Sequence, residues 1–264
     1  MSKLKKSVGL TAAIVLTLAG GQGLARAQQN EETPGAAEQE ATAIGAVRQM
    51  SRHLAKLDTL SVKALVSMDE VMPSGQKIQL DQQIEIYADP PGRLWAHRIS
   101  PRGNSEYFYD GETFTVHAAD LGFYASFDAP DTIGATIAAA EDRGVDWPLA
   151  DLFMWGTDQD AIDAVESAFI VGTTEINGVS ANHFAFRQAE VDWQIWIARE
   201  GEPLPLKLVI TSTQEEGQPQ YVALMKWDTS PDLSSKKFTF EPSADDYVIG
   251  FEATADTGDT ADEE

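Results

Sequence analysis

The sequence predicts a mainly β protein with a helical lid, in which one large, curled antiparallel sheet forms an incomplete barrel. Three observations carry this reading. About a dozen short runs alternate apolar and polar residues, each bounded by Pro, Gly, Asn or Asp turn signals. Helical spacing occurs in two places, ahead of the first strand and in an insertion midway along the chain. No internal repeat or linker divides residues 41–250, so the runs belong to one domain. A flat sheet of that width is unusual, so the sheet is expected to curl and to need a cover on its apolar face.

The chain opens on an address. Lys3, Lys5 and Lys6 precede an apolar run from Val8 to about Ala19, and Ala25-Arg26-Ala27 supplies the small residues that signal peptidase accepts. Residues 1–27 are therefore read as a signal peptide cleaved after Ala27, which implies a periplasmic protein. No later segment approaches the roughly 18 apolar residues of a membrane span.

Ile44, Val47, Met50, Leu54 and Leu57 fall at helical spacing over 41–58, with Arg48, Arg52 and Lys56 opposite. From Leu60 the period becomes two. Val62, Ala64, Val66 and Met68 share one face, and Pro73-Ser74-Gly75 turns the chain. Ile78, Leu80, Ile84, Ile86 and Ala88 line the next strand, ended by Asp89-Pro90-Pro91-Gly92. Further strands are expected at 94–99, 106–109, 113–118 and 123–127.

The insertion covers about 131–167. Asp131 is read as the cap of a helix carrying Ile133, Ile137 and Ala140. Pro148 opens a second with Leu149, Leu152 and Phe153, and Asp158 or Asp160 a third with Ile162 and Val165. Strands resume near 168–176, 179–188, 193–199, 204–213, 219–228 and 236–241. Asn177-Gly178 marks a tight hairpin. Leu204, Leu206, Leu208 and Ile210 read as one face, as do Tyr221, Ala223, Met225 and Trp227.

Composition sets limits. There are 19 Lys+Arg against 42 Asp+Glu, a net charge of −23, and no cysteine. Loss of the signal removes four bases and no acid, leaving −27. Such acidity argues against nucleic acid or an anionic membrane surface as partner. The missing cysteines exclude disulfides, thiolate metal sites, a thiol nucleophile and a lipidated cysteine. Residues 28–40 and 251–264 are acidic and poor in apolar side chains, and are read as solvated tails. Asp256, Asp259, Asp262 and Glu263 lack the spacing of a calcium loop.

Several stretches carry a family resemblance. Strand, turn and strand over 84–127 enclose Phe108-Tyr109-Asp110-Gly111-Glu112-Thr113. Later come Trp196-Ile197, Leu204-Pro205-Leu206-Lys207-Leu208, Trp227 and Phe238-Thr239-Phe240-Glu241-Pro242. In order and spacing these resemble the outer-membrane lipoprotein carrier. Val191-Asp192-Trp193-Gln194-Ile195-Trp196 after His183-Phe184-Ala185-Phe186-Arg187 is similar to predicted periplasmic proteins grouped as a domain of unknown function. The resemblance spans about 41–250. It implies a helix-capped half-barrel that holds acyl chains. The carriers place a basic residue before the turn proline, where it latches the lid. If Pro91 matches that proline, this chain has Pro90 there.

Catalytic signatures are missing. There is no nucleophile elbow, zinc-protease helix, P-loop or dinucleotide fingerprint, and His53, His97, His117 and His183 lack ligand spacing. No cofactor or metal is expected. Carboxylate pairs such as Asp69-Glu70 and Glu141-Asp142 read as surface charge. The expected cavity lining is Ile84, Ile86, Leu94, Trp193, Leu206, Leu208, Ile210 and Trp227. The expected lid residues are Ile133, Ile137, Leu149, Leu152 and Phe153. His183, Arg187 and Asp192 are assigned to a polar rim, with Arg187 and Asp192 alternatively a pair that fixes hairpin register. Trp193 and Trp196 are odd-spaced and must face opposite sides. Three functions fit: a carrier of an apolar or lipid-like ligand, a scaffold protein with a filled core, and a hydrolase using a carboxylate pair.

Overall fold

The period-two runs pair into one twelve-stranded sheet, curled but not closed. The structure is a computed structural model and describes residues 35–150, 162, 164–234 and 236–251. A helix, α1 (Ala36–Leu54), leads into a first meander: β1 (Leu60–Val71), β2 (Lys77–Asp89), β3 (Arg93–Ser100), β4 (Gly103–Tyr109), β5 (Thr113–Ala118) and β6 (Phe123–Asp128). Helix α2 (Ile133–Glu141) follows. A second meander comprises β7 (Ser167–Ile176), β8 (Val179–Arg187), β9 (Val191–Ala198), β10 (Pro205–Ser212) and β11 (Gln220–Asp228), and β12 (Tyr247–Val248) ends the series. The meanders join where β1 pairs with β11, which gives the order β12-β6-β5-β4-β3-β2-β1-β11-β10-β9-β8-β7.

Register puts the apolar alternation on one face. Val62 lies opposite both Ile86 and Trp227, and Ile86 opposite Ala96, which faces Tyr107. In the other half Val66, Ala223, Leu208, Ile195, Phe184 and Ile170 form a continuous row. Both helices pack on this face, here the covered face. Ala43, Val47, Met50 and Leu54 of α1, and Ile133, Ile137 and Ala140 of α2, join the sheet residues in one buried cluster. A smaller cluster of Ala181, Trp196, Leu206 and Val209 lies on the opposite, open face.

Most elements follow the sequence reading, and four differ. Helix α1 begins at Ala36, inside the segment read as a tail, because 36–40 is Ala-Ala-Glu-Gln-Glu, all strong helix formers. It ends at Leu54 instead of near 58. The cap of α2 is Thr132, whose hydroxyl accepts from the Ala135 amide at 3.3 Å, one residue after the expected Asp131. No helix starts at Pro148 within the described residues. Residues 148–150 form a turn with Leu149 at φ 56°.

The fourth difference is the expected last strand at 236–241. That segment makes no ladder. It runs across the open face, with Lys236 over the rings of Tyr87 and Trp95 and Phe240 against Phe108, His117 and Tyr124. The chain then reaches the sheet edge, where β12 pairs in parallel with β6. Gly122 permits this approach. Its φ is +67°, and a Cβ there would stand 2.9 Å from the Asp245 carbonyl oxygen. At the β7–β8 hairpin, Asn177 and Gly178 have φ 49° and 83°, the pair of positive values that a tight type I′ turn requires.

Candidate functional site

The covered face gathers most of the residues nominated from sequence. Ile84, Ile86, Leu94 and Leu208 are buried at 3% exposure or less, and Trp193, Ile210 and Trp227 pack against them. Strand alternation places them there, since each shares parity with its neighbours in the apolar rows. Trp193 stacks on Phe186 with ring centroids 3.9 Å apart. The Trp227 indole donates to the Pro205 carbonyl at 2.6 Å. Of the lid residues, Ile133, Ile137 and Leu149 are buried in the same cluster, and Leu152 and Phe153 lie outside the described residues.

Leu206 does not belong to this face. A bulge between Pro205 and Lys207 adds one residue to β10, so Leu206 turns to the open face and packs beside Trp196. Trp196 itself faces away from Trp193, as the odd spacing requires.

The polar trio also faces away from the helices. His183, Ala185 and Arg187 alternate with Phe184 and Phe186, and the phenylalanines take the covered face. His183 stacks on Trp196 at 3.9 Å and bonds Gln194 at 3.0 Å, and its burial moves its pKa down. Arg187 holds Asp192 through two hydrogen bonds of 2.7 and 2.6 Å across the β8–β9 pair. Asp192 is held below the usual carboxylate range by this bond. The two residues are opposed in the β8–β9 ladder, on the face away from the helices.

The Asp69-Glu70 pair is engaged by basic side chains. Asp69 bonds Lys77 at 3.0 Å, and Glu70 pairs with Arg102. His97 and His117 flank Glu106 on neighbouring strands. His117 bonds Asp246 at 2.9 Å and lies 3.5 Å from Glu106, and His97 bonds Asn104. Among the described residues, no group of three or more His, Asp or Glu side chains is placed to hold a metal.

One polar cluster on the covered face escaped the sequence reading. Arg98 shares the parity of Leu94 and Ala96, and its guanidinium sits 5.6 Å over the Tyr107 ring. Arg98 Nη1 donates to the Asp146 carboxylate at 2.7 Å, and the Tyr107 hydroxyl donates to the Asp146 carbonyl at 3.2 Å. Burial pushes the Tyr107 phenol up to about 12. The adjacent Trp147 packs its ring 5.0 Å from Tyr107 and 5.4 Å from Phe114. Arg98 Nε and Trp147 Nε1 are buried without a hydrogen-bond partner. The signal was an arginine on an apolar strand face.

The open face carries cavities of its own. Two, of about 450 and 500 Å³, lie over β11, β1, β2 and β3 and share Leu65, Gln83, Ile99 and Leu224. A third, of about 240 Å³, lies between the 238–242 segment and β4–β6.

The model of a family described as predicted periplasmic protein (DUF2092) matches residues 43–252. The chain belongs to this family. No curated protein matches the DUF2092 chain. Solved structures similar to it include lipoprotein LppX of Mycobacterium tuberculosis, at 14% identity and TM-score 0.45, covering 73% of this chain and 98% of that one. LprF of Mycobacterium bovis is similar at 14% identity and TM-score 0.46, with 72% and 94% covered. A chain of the Pseudomonas aeruginosa MucA/MucB complex is similar at 16% identity and TM-score 0.41, with 73% and 59% covered. No helix among the described residues of this DUF2092 protein is long and apolar enough to cross a membrane.

Proposed function

We propose that this DUF2092 protein binds or carries an apolar, acyl-like ligand between the covered face of its sheet and the helices. One observation supports this most. An apolar face runs across both meanders, and its cover is a separate layer of chain, α1 and α2 with the segment around Trp147. A cover attached through loops can move off a sheet without disturbing a strand ladder, as lids do. The ligand is an apolar small molecule or lipid, and no cofactor takes part.

Tight packing supports a second reading. Ile84, Ile86, Leu94 and Leu208 are already buried by protein side chains, as a filled scaffold would have them. Native mass spectrometry of protein purified from a periplasmic extract separates the two. A co-purifying species of acyl-lipid mass supports the carrier. Bare protein that also fails to take up a fluorescent fatty acid refutes it. The same spectrum tests the leader: we place the mature N-terminus at Gln28, and a dominant form retaining Met1 would overturn export.

A further inference from the structure

We infer that Arg98 and Trp147 form a polar anchor for the oxygen-bearing end of the ligand, a carboxyl or ester carbonyl at the head of an acyl chain. The inference rests on the apolar-ligand reading above and names the chemistry of its polar end.

Buried N–H groups are almost always paired. Here two unpaired ones belong to side chains that pack on the same ring. Trp147 is 5% exposed, its ring lies 5.0 Å from Tyr107, and its Nε1–H has no acceptor. Arg98 packs over that tyrosine at 5.6 Å, and its Nε–H also has none. Two neighbouring donors are committed. The Tyr107 hydroxyl donates to the Asp146 carbonyl, and Arg98 Nη1 is held by the Asp146 carboxylate. What remains is a pair of donors without an acceptor, so the missing group is an acceptor oxygen.

The surroundings narrow its class. The Trp147 ring continues into Phe114, and Phe114 into Phe127 at 5.0 Å, so hydrocarbon adjoins the donors. The Arg98 charge is already offset by Asp146, whose side chain is 85% exposed. A phosphate would need more uncompensated positive charge than this cluster holds. A carboxyl or ester carbonyl needs only the two donors. An acyl chain has this sequence of parts, an acceptor oxygen and then hydrocarbon.

The test uses the mature protein and three probes of equal length: laurate, methyl laurate and dodecane. In the unmutated protein, the indole N–H resonance of Trp147, assigned through its own backbone, should move downfield with laurate and methyl laurate but not with dodecane. Trp147→Phe and Arg98→Met should each weaken the two oxygen-bearing probes about 3- to 10-fold, the loss of one hydrogen bond. Dodecane should change less than about 2-fold. If all three probes bind alike and the indole resonance responds to none selectively, the anchor falls and the apolar site stands. If none binds, the carrier reading falls and the anchor with it. The resonance measurement needs no variant, so a variant that fails to fold does not block the result.

Discussion

Ile137→Ala and Ile86→Ala remove the same three carbons from two sides of one interface. Ile137 lies on α2 at 1% exposure and Ile86 on β2 at 0%, and both belong to the same buried cluster. Three buried carbons lose about 2.4 kcal/mol of transfer free energy, at about 0.8 kcal/mol each. That is the floor for a site that collapses fully. A site that cannot collapse moves toward the upper end of the observed range, about 5 kcal/mol. β2 is hydrogen-bonded to β1 on one side and β3 on the other, so its backbone cannot close the gap. Helix α2 has nine residues and no ladder partner, so it can settle inward. We expect about 2–3 kcal/mol for Ile137→Ala and about 4–5 kcal/mol for Ile86→Ala. At about 2–4 °C per kcal/mol for a domain of this size, melting should fall by roughly 4–12 °C and 8–20 °C. Urea unfolding at constant slope is the assay, with uptake of an apolar dye measured on the same samples. Ile137→Ala should raise dye uptake because it loosens the cover. Equal costs from both sides, with dye uptake unchanged, would show that α2 is ordinary core and would refute a separable cover.

Three further outcomes follow from particular contacts. Asp69 is held below the usual carboxylate range, first by Lys77 and also by the Gln220 amide. A lowered folded pKa contributes stability that is complete above about pH 4 and is lost as pH falls through it. The melting difference between the unmutated protein and Asp69→Asn should therefore shrink from pH 6 to pH 3, and a constant difference would contradict the assignment. Gly122→Ala should cost more than about 1 kcal/mol, since φ is +67° and the new Cβ would press on the Asp245 carbonyl; limited proteolysis should then release the segment after Asp228 sooner. In a spectroscopic titration, Tyr107→Phe should leave the tyrosine signal below pH 11 unchanged, because this phenol ionises only at about 12.

Much of the fold was legible because alternation reports parity directly. β1, β2 and the β8–β9 pair show their buried face in the spacing of Val, Ile and Phe alone. Parity fails where one residue is inserted. Leu206 sits in an apolar run that looks regular, and the bulge at Pro205–Lys207 reverses it. Pro205 was the available warning, since proline in a strand marks an edge or a bulge. Alternation also cannot tell a ladder from an extended strap. Lys236, Phe238 and Phe240 have strand spacing, yet they bind through rings: Lys236 on Tyr87 and Trp95, Arg93 over Phe238, and Phe240 on His117.

The candidate site divides along the same line. Its apolar part is a property of strands, so period two finds it. For the polar trio, alternation separates His183 and Arg187 from Phe184 and Phe186, and only the packing of the helices on the phenylalanine side shows which of the two faces is covered. Arg98 could be read in principle, for it shares the parity of Leu94 and Ala96. Trp147 could not. It lies in an irregular segment after α2, where no period operates, and tertiary packing alone brings it to Tyr107. A strand supplies one donor of the proposed anchor and a loop of the cover supplies the other, so opening the cover would separate them. An acceptor oxygen bound to both would tie cover to sheet, so ligands that carry one should bind more tightly than hydrocarbons of equal length and, at equal free concentration, raise the melting temperature more.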